Sequence, residues 1–476
     1  MDTRGQTGFD RAKAGTPAAE RGNGVTAEWR GAALALLTAC GLAAATAWHA
    51  EAQTPDDLGH SLTPFGAIRA GNADGTIPAW DGGTTRAPPG YVPGKPLVNP
   101  YANEKPLFTI TAANADRYEA KLTAGIIAKL RTLPGYRLDI YPTHRNFAAP
   151  DYIYQAAITN AKTAKLANGG IDVEGAKLSI PFPITTDGSQ VIWNHLLRWR
   201  GAQVRRTDTH AVVNTDGSYG LSKTFVKILF AYNVPGASTA NVNDYFYAEV
   251  LAPPRSAGGM DITLDYTDPF AQPRQSWFYT PGERRVRRAP KVGYDTPIGD
   301  TDGIETVDDL DLFNGALDRY DWKLLGRREM YVPYNCYDIQ QANHPYSDIL
   351  RPGFINPDLI RWELHRVWVV DANVRPGNHH IYARRTSYVD EDSWQMLISD
   401  RYDSRGLLWR TGMGFPVLRY DVPVLAADGY EYTDLLSHRY FAVGLHGPER
   451  QQPDYGPPAL SPAEFTPESL RDAGKR

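Results

Sequence analysis

Between Arg361 and Arg410 the chain reads as three or four antiparallel strands in succession, and this meander constrains the fold more than any other stretch. In Trp362–Val370 the even positions carry Trp362, Leu364, Trp368 and Val370, with Glu363 and His365 between them, which predicts a strand with one face toward solvent. Arg375-Pro376-Gly377-Asn378 turns the chain. In His380–Val389 neither face is cleanly polar, since Tyr382 and Tyr388 oppose Ile381, Ala383 and Val389, so both faces are expected to be covered. After the acidic turn Asp390-Glu391-Asp392, Trp394, Met396, Ile398 and Tyr402 alternate, and Asp403-Ser404-Arg405-Gly406 leads into Leu407–Arg410.

Strand signals extend back to Val204: Thr224–Tyr232, Asp244–Ala252, Met260–Tyr266, Ser276–Tyr279, the basic run Arg284–Arg288, and Trp322–Tyr334. Helical spacing falls mainly before them. Tyr118, Leu122, Ile126, Leu130 and Leu133 predict a helix over 114–133, the Ala-rich run 151–168 a second, and Asp187 caps a third. A short helical piece is expected at 306–317, and Thr466-Pro467-Glu468 opens a terminal one. The resulting class is α+β, mainly antiparallel β, with helices and strands largely segregated.

The chain divides by pattern into 1–52, 53–106, 107–447 and 448–476. Arg30 precedes an apolar run to Trp48, and Ala50-Glu51-Ala52 has the small-x-small form of a cleavage site, which predicts an exported protein cut near Ala52. A second reading takes Leu37-Thr38-Ala39-Cys40 as a lipobox that tethers the chain to a membrane through Cys40. Residues 53–106 are rich in Gly and Pro and read as an extended arm over the body; 448–476 is a Pro-rich tail. A formal charge of −4 argues against nucleic acid as a partner.

Catalytic and cofactor spacings are missing from the sequence: it has no His-Glu-x-x-His, Cys-x-x-Cys, Walker loop or nucleotide-binding Gly fingerprint. Gly217-Ser218-Tyr219-Gly220 reads as a hairpin turn. His379 and His380 point to opposite faces of an extended segment and are a poor metal pair. Asp300, Asp302, Glu305, Asp308 and Asp309 read as a solvated loop. No catalytic residue, metal or cofactor is expected. Two patterns remain for binding. Arg284, Arg285, Arg287 and Arg288 repel one another unless anions sit close, and form either an exposed rim or a clamp for an anionic head group. Trp277, Tyr279, Trp362, Trp368 and Trp394 could line an apolar cavity, although each alone reads as core.

Three blocks carry a resemblance: the arm from Leu62-Thr63-Pro64 to Gly71-Asn72-Ala73-Asp74-Gly75-Thr76-Ile77-Pro78-Ala79-Trp80, the run Trp277-Phe278-Tyr279 to Arg284–Pro290, and Tyr388–Trp394. Together they resemble the proteobacterial domain of unknown function 1329 family, whose members look like enlarged relatives of the outer-membrane lipoprotein carriers and sorting receptors. The resemblance implies a curved, incomplete β-barrel with helices in its concave side and an apolar cavity between the layers. It also implies a periplasmic, non-catalytic carrier of a hydrophobic or lipid-like ligand, with an inner-membrane efflux-type transporter and an outer-membrane protein as partners. The rival expectations are a hydrolase acting on a hydrophobic substrate and a structural adaptor of an envelope complex.

Overall fold

The strand signals converge on one sheet. The computed structural model describes residues 53–236, 241–289, 294–449 and 452–475; the leader, Cys40 and the cleavage point near Ala52 lie outside the described residues. Fifteen strands join in this sheet: β1 (Phe108–Ile110), β2 (Leu138–Ile140), β3 (Gln203–Val213), β4 (Tyr219–Leu229), β5 (Val242–Ala252), β6 (Met260–Tyr266), β7 (Gln275–Thr280), β8 (Arg285–Arg288), β9 (Tyr320–Pro333), β10 (Trp362–Val374), β11 (Arg384–Asp390), β12 (Met396–Tyr402), β13 (Leu408–Arg419), β14 (Val424–Asp434) and β15 (Arg439–Val443). The spatial order is β1-β2-β10-β11-β12-β13-β14-β15-β3-β4-β5-β6-β7-β8, with β9 also paired to β10. All pairings are antiparallel except a single parallel contact, Trp362 with Ile140, and the sheet is not closed. The hairpin joining β3 to β4 is the turn read at Gly217-Ser218: Asn214 N–H donates to Ser218 O and Ser218 N–H to the Asp216 carboxylate.

The helices are shorter than their patterns. The expected 114–133 helix is a 3₁₀ stretch, Ala115–Lys121, and a separate α1, Ala124–Thr132. Leu122 and Thr123 between them are extended, because the Thr123 hydroxyl accepts from Ile126 N–H and starts a new helix there. The second, α2, runs Asp151–Thr163 and stops at extended Ala164, ahead of the Gly pair, because Lys165–Ala167 forms a small ribbon with Asp172–Glu174. The third, α3 (Gly188–Leu197), begins at Asp187, whose carboxylate accepts from Ser189 N–H. Residues 306–317 give 3₁₀ turns. The terminal helix α4, Pro467–Ala473, is capped by Thr466. Among the described residues no helix is long and apolar enough to cross a membrane.

The polar face of β10 is not wet. Glu363 and His365 are fully buried, and Glu363 accepts from His144 N–H, Asn335 Nδ2 and Arg361 Nε at 2.8, 3.0 and 2.5 Å. Alternation located the strand, but the polar positions serve an internal network under the arm. Arg145 holds Asp392 through two hydrogen bonds (2.8 and 2.7 Å) and donates to Arg69 O and Pro78 O of the arm. Arg366 donates to Ala70 O, and the Trp394 indole to Phe65 O. Trp394 sits at φ 63°, a costly conformation for a bulky residue, tied by its N–H to Asp390 O at 3.0 Å. The first and third blocks of the resemblance are thus the two halves of one clasp.

The acidic segment 300–309 departs from expectation in its second half only: Asp300 and Asp302 are exposed, as read. Glu305, Asp308 and Asp309 are buried. Asp308 accepts from Arg385 at 2.6 Å and pairs with His380 at 3.0 Å, while Arg401 lies 2.8 Å from Asp309. Arg385 and Arg401, on distant strands, neutralise Asp308 and Asp309, which read locally as part of a solvated loop.

Candidate functional site

Strands β3 to β8 place every second residue on one side, and their registers align these residues in rows across the sheet. One row is Arg206, Val226, Ala248, Asp261, Phe278 and Arg287, each directly opposite the next. The neighbouring row is Val204, Ile228, Phe246, Thr263 and Ser276. These residues line a cavity of about 940 Å³, bounded elsewhere by Ile298, Val307 and Leu310 of the 296–314 segment and by Leu425, Ala427, Phe441 and Val443 of β14 and β15. The reverse face of β5–β7 carries Tyr245, Tyr247, Ile262 and Tyr279, which form a separate core with Phe465 and Leu470 of the tail. The tail therefore covers one face of these strands, while the other faces the hollow.

The charged groups of the cavity are mostly paired. Arg274 makes two hydrogen bonds to Asp265 (2.6 and 2.8 Å), Arg206 binds Asp208 at 2.9 Å, and Arg198 binds Asp311 at 2.6 Å. Burial alone would raise the Asp311 carboxyl, but Arg198, His195 and Arg200 outweigh it and hold it well below the usual range. Asp244 is pushed up to about 6 by burial and by Asp265, against Arg200 and Arg274. Two carboxyls differ from this pattern. Asp261 is pushed up to about 7 by burial alone. Glu305 is pushed up to about 8 by burial and then by Asp309, with Arg401 and Tyr432 opposing.

The expected binding residues are scattered. Trp277 and Tyr279 lie on the reverse face of β7, where the Tyr279 hydroxyl donates to Gly474 O at 2.9 Å. Trp362, Trp368 and Trp394 belong to the large core, with Trp368 stacked on Trp394 at 6.0 Å and the Arg327 guanidinium 4.1 Å over Trp368. None of the five lines the cavity, whose aromatic surface comes from Phe246, Phe278 and Tyr430 among others. Of the four arginines, Arg287 and Arg288 line it and Arg284 and Arg285 do not. Arg287 pairs with Glu283 at 2.6 Å, and Arg288 lies 5.9 Å over the Trp277 ring. The sequence did carry a signal for the missed face, since Asp261, Thr263 and Asp265 alternate with Ile262, Leu264 and Tyr266. A row of Asp and Thr reads as solvent-facing whether the water lies outside a protein or inside a hollow.

A second cluster is fully buried. His365, Asp390 and Asp392 bring one nitrogen and two carboxylate oxygens within 4.8 Å of one another, a spacing that could hold a metal ion. Asp392 is already engaged by Arg145, and His365 Nε2 by Glu363 at 3.1 Å, under the Tyr334 ring at 3.8 Å. Its present chemistry is that of the arm clasp.

The geometry defines an α+β protein with a broad, open antiparallel sheet and a large internal hollow on one part of it. Residues 109–471 match the family described as protein of unknown function DUF1329, and the chain belongs to it. It is 47% identical over 429 residues to the uncharacterized protein PA3922 of Pseudomonas aeruginosa, covering 88% of this chain and 93% of that one. Among solved structures, it is similar to a putative outer membrane lipoprotein-sorting protein domain from Vibrio parahaemolyticus (TM-score 0.41, 15% identity, 59% of this chain and 97% of that one). A DUF1329 family protein from Desulfovibrio piger gives a TM-score of 0.39 at 14% identity, covering 57% of this chain and 92% of that one.

Proposed function

We propose that this protein is a periplasmic carrier or receptor that encloses a hydrophobic or lipid-like molecule in the cavity of β3–β8, without catalysing a reaction on it. The observation that carries the reading is the apolar patch Val226, Ile228, Phe246, Ala248, Val250 and Phe278 facing a hollow of about 940 Å³. That volume is at the upper end of the roughly 300–1,000 Å³ typical of small-molecule sites. Each CH₂ removed from water contributes about 0.8 kcal/mol, so a chain of about 16 carbons needs roughly 12 kcal/mol of enclosure. Apolar walls supply this without directed hydrogen bonds, which accounts for a sequence lacking sharp polar motifs. In this reading the sheet bends around the hollow as an incomplete barrel with helices on its concave side. An inner-membrane efflux-type transporter and an outer-membrane protein are the proposed partners in loading and delivery.

Native mass spectrometry of protein released from the periplasm is the test. A bound apolar adduct, lost on organic extraction and regained from fluorescent fatty-acid or fatty-alcohol probes, is expected. Protein that leaves cells empty and takes up neither probe would overturn the proposal.

A further inference from the structure

We infer that the carried molecule bears a positively charged nitrogen, an ammonium or similar cation, received by Asp261 between the rings of Phe246 and Phe278. The inference rests on the carrier reading and adds the chemistry of the ligand's polar end; its sign is opposite to that expected from the Arg284–Arg288 run.

Asp261 stands in the middle of the apolar patch. Its direct cross-strand neighbours on the cavity face are Ala248 on β5 and Phe278 on β7, and Phe246 is diagonal to it through the Phe246–Thr263 pair. Among the described residues its carboxylate makes no hydrogen bond or ion pair, and burial alone raises its affinity for a proton. Every other charge in its row is distant and engaged. Arg287 is two strands away, about 10 Å at the usual strand spacing, and pairs with Glu283 at 2.6 Å. Arg206 is three strands away, about 14 Å, and is bound to Asp208 at 2.9 Å. In the next row Thr263 and Ser276 satisfy each other at 2.8 Å. Asp244, Asp265 and Arg274, which also line the cavity, form their own pairs.

Asp261 is half-buried with its carboxylate turned to the hollow, flanked by apolar neighbours, and no contact within the protein engages it. A cation brought by the ligand would supply the missing partner. Aromatic faces beside a carboxylate are the usual surroundings of a bound ammonium, because the ring quadrupole and the anion attract the same charge. An anionic head would instead meet Asp261 with like charge; of the arginines on β8 that line the cavity, Arg287 is paired with Glu283 and Arg288 lies over the Trp277 ring, on the far side of β7 from Asp261.

The test is a comparison of three ligands of one chain length, dodecylammonium, dodecanol and dodecanoate, titrated at pH 8 and below their micelle concentrations into the full chain and Asp261→Asn. Dodecylammonium is expected to bind the natural protein roughly tenfold or more tightly than dodecanol. Asp261→Asn should abolish that advantage, so that dodecylammonium binds no tighter than dodecanol, and a circular-dichroism spectrum and unfolding temperature matching the natural protein show that the variant folds. A preference for dodecanoate, or an ammonium preference that survives Asp261→Asn, overturns this inference while leaving the carrier reading intact. If none of the three binds either protein, the carrier reading falls as well.

Discussion

The sheet has two regions built on opposite principles. Around β10–β13 charged side chains are buried deeply, yet almost every one is matched: Arg145 with Asp392, Arg361 with Glu363, Arg385 with Asp308, Lys129 with Glu431. Across β3–β8 the sheet leaves a hollow of about 940 Å³ and exposes within it a carboxyl, Asp261, that nothing in its row answers. In the first region polar groups fix one arrangement of the chain, because removing any partner strands the other in a dry interior. In the second, incomplete packing and an unmatched charge are features of the surface a guest would meet. An aspartate is a structural staple in one region, where Asp392 is buried against Arg145, and a candidate contact in the other, where Asp261 is half-buried in the cavity wall.

The largest expected effect comes from breaking the clasp. Arg145→Ala leaves Asp392 buried without its two hydrogen bonds and frees the Arg69 and Pro78 carbonyls, so urea unfolding should show a loss of about 4 kcal/mol. Limited proteolysis should then cut within residues 53–106 before the rest; an arm still protected would show that Arg145 is not what holds it. Packing separates the regions next. A methyl at Gly125 would lie 2.2 Å from an Asp400 carboxylate oxygen and 2.4 Å from the Thr411 hydroxyl, so Gly125→Ala should cost about 3 kcal/mol. Ala248→Val, which extends into the hollow, should leave thermal stability within about 0.5 kcal/mol. Equal costs at the two sites would mean that the hollow is not open in solution.

A third, smaller effect depends on pH. The Glu305 carboxyl, pushed up to about 8 by burial first and then by Asp309, keeps its proton in the folded chain where the unfolded chain has released it. Its contribution is therefore fully present below the unfolded value, about pH 4, and is lost as pH rises through 8. Glu305→Gln should raise stability by on the order of 2 kcal/mol at pH 9 and by almost nothing at pH 4. A gain independent of pH would show that ionisation of Glu305 is not the cause.

How much of this was legible beforehand follows the range of the interactions. Met260–Tyr266 is a strand in sequence and structure alike, because alternation is local and the turns flanking it are too. Asp187 and Thr466 cap the helices their positions forecast. Helix lengths were overestimated where a side chain such as Thr123 restarts the backbone, since the apolar period continues through a break in the hydrogen bonds. The site was harder to read. Trp362, Trp368 and Trp394 are conspicuous by size, but size serves a solid core as well as a cavity wall, and only the pairing of distant strands tells which. Asp261 looked like solvent because a strand's polar face carries no mark of what lies beyond it. The burial of Glu363 and Asp308 depends on Asn335 and Arg385, neither of which is near in sequence.

Filling the hollow tests the central claim most directly. Ala248→Trp, at the centre of the apolar patch, should keep the natural unfolding temperature within a few degrees and abolish calorimetric uptake of dodecanol at one site per chain. Dodecanol binding of unchanged affinity and stoichiometry in that variant would contradict the claim that the β3–β8 cavity is where a guest resides.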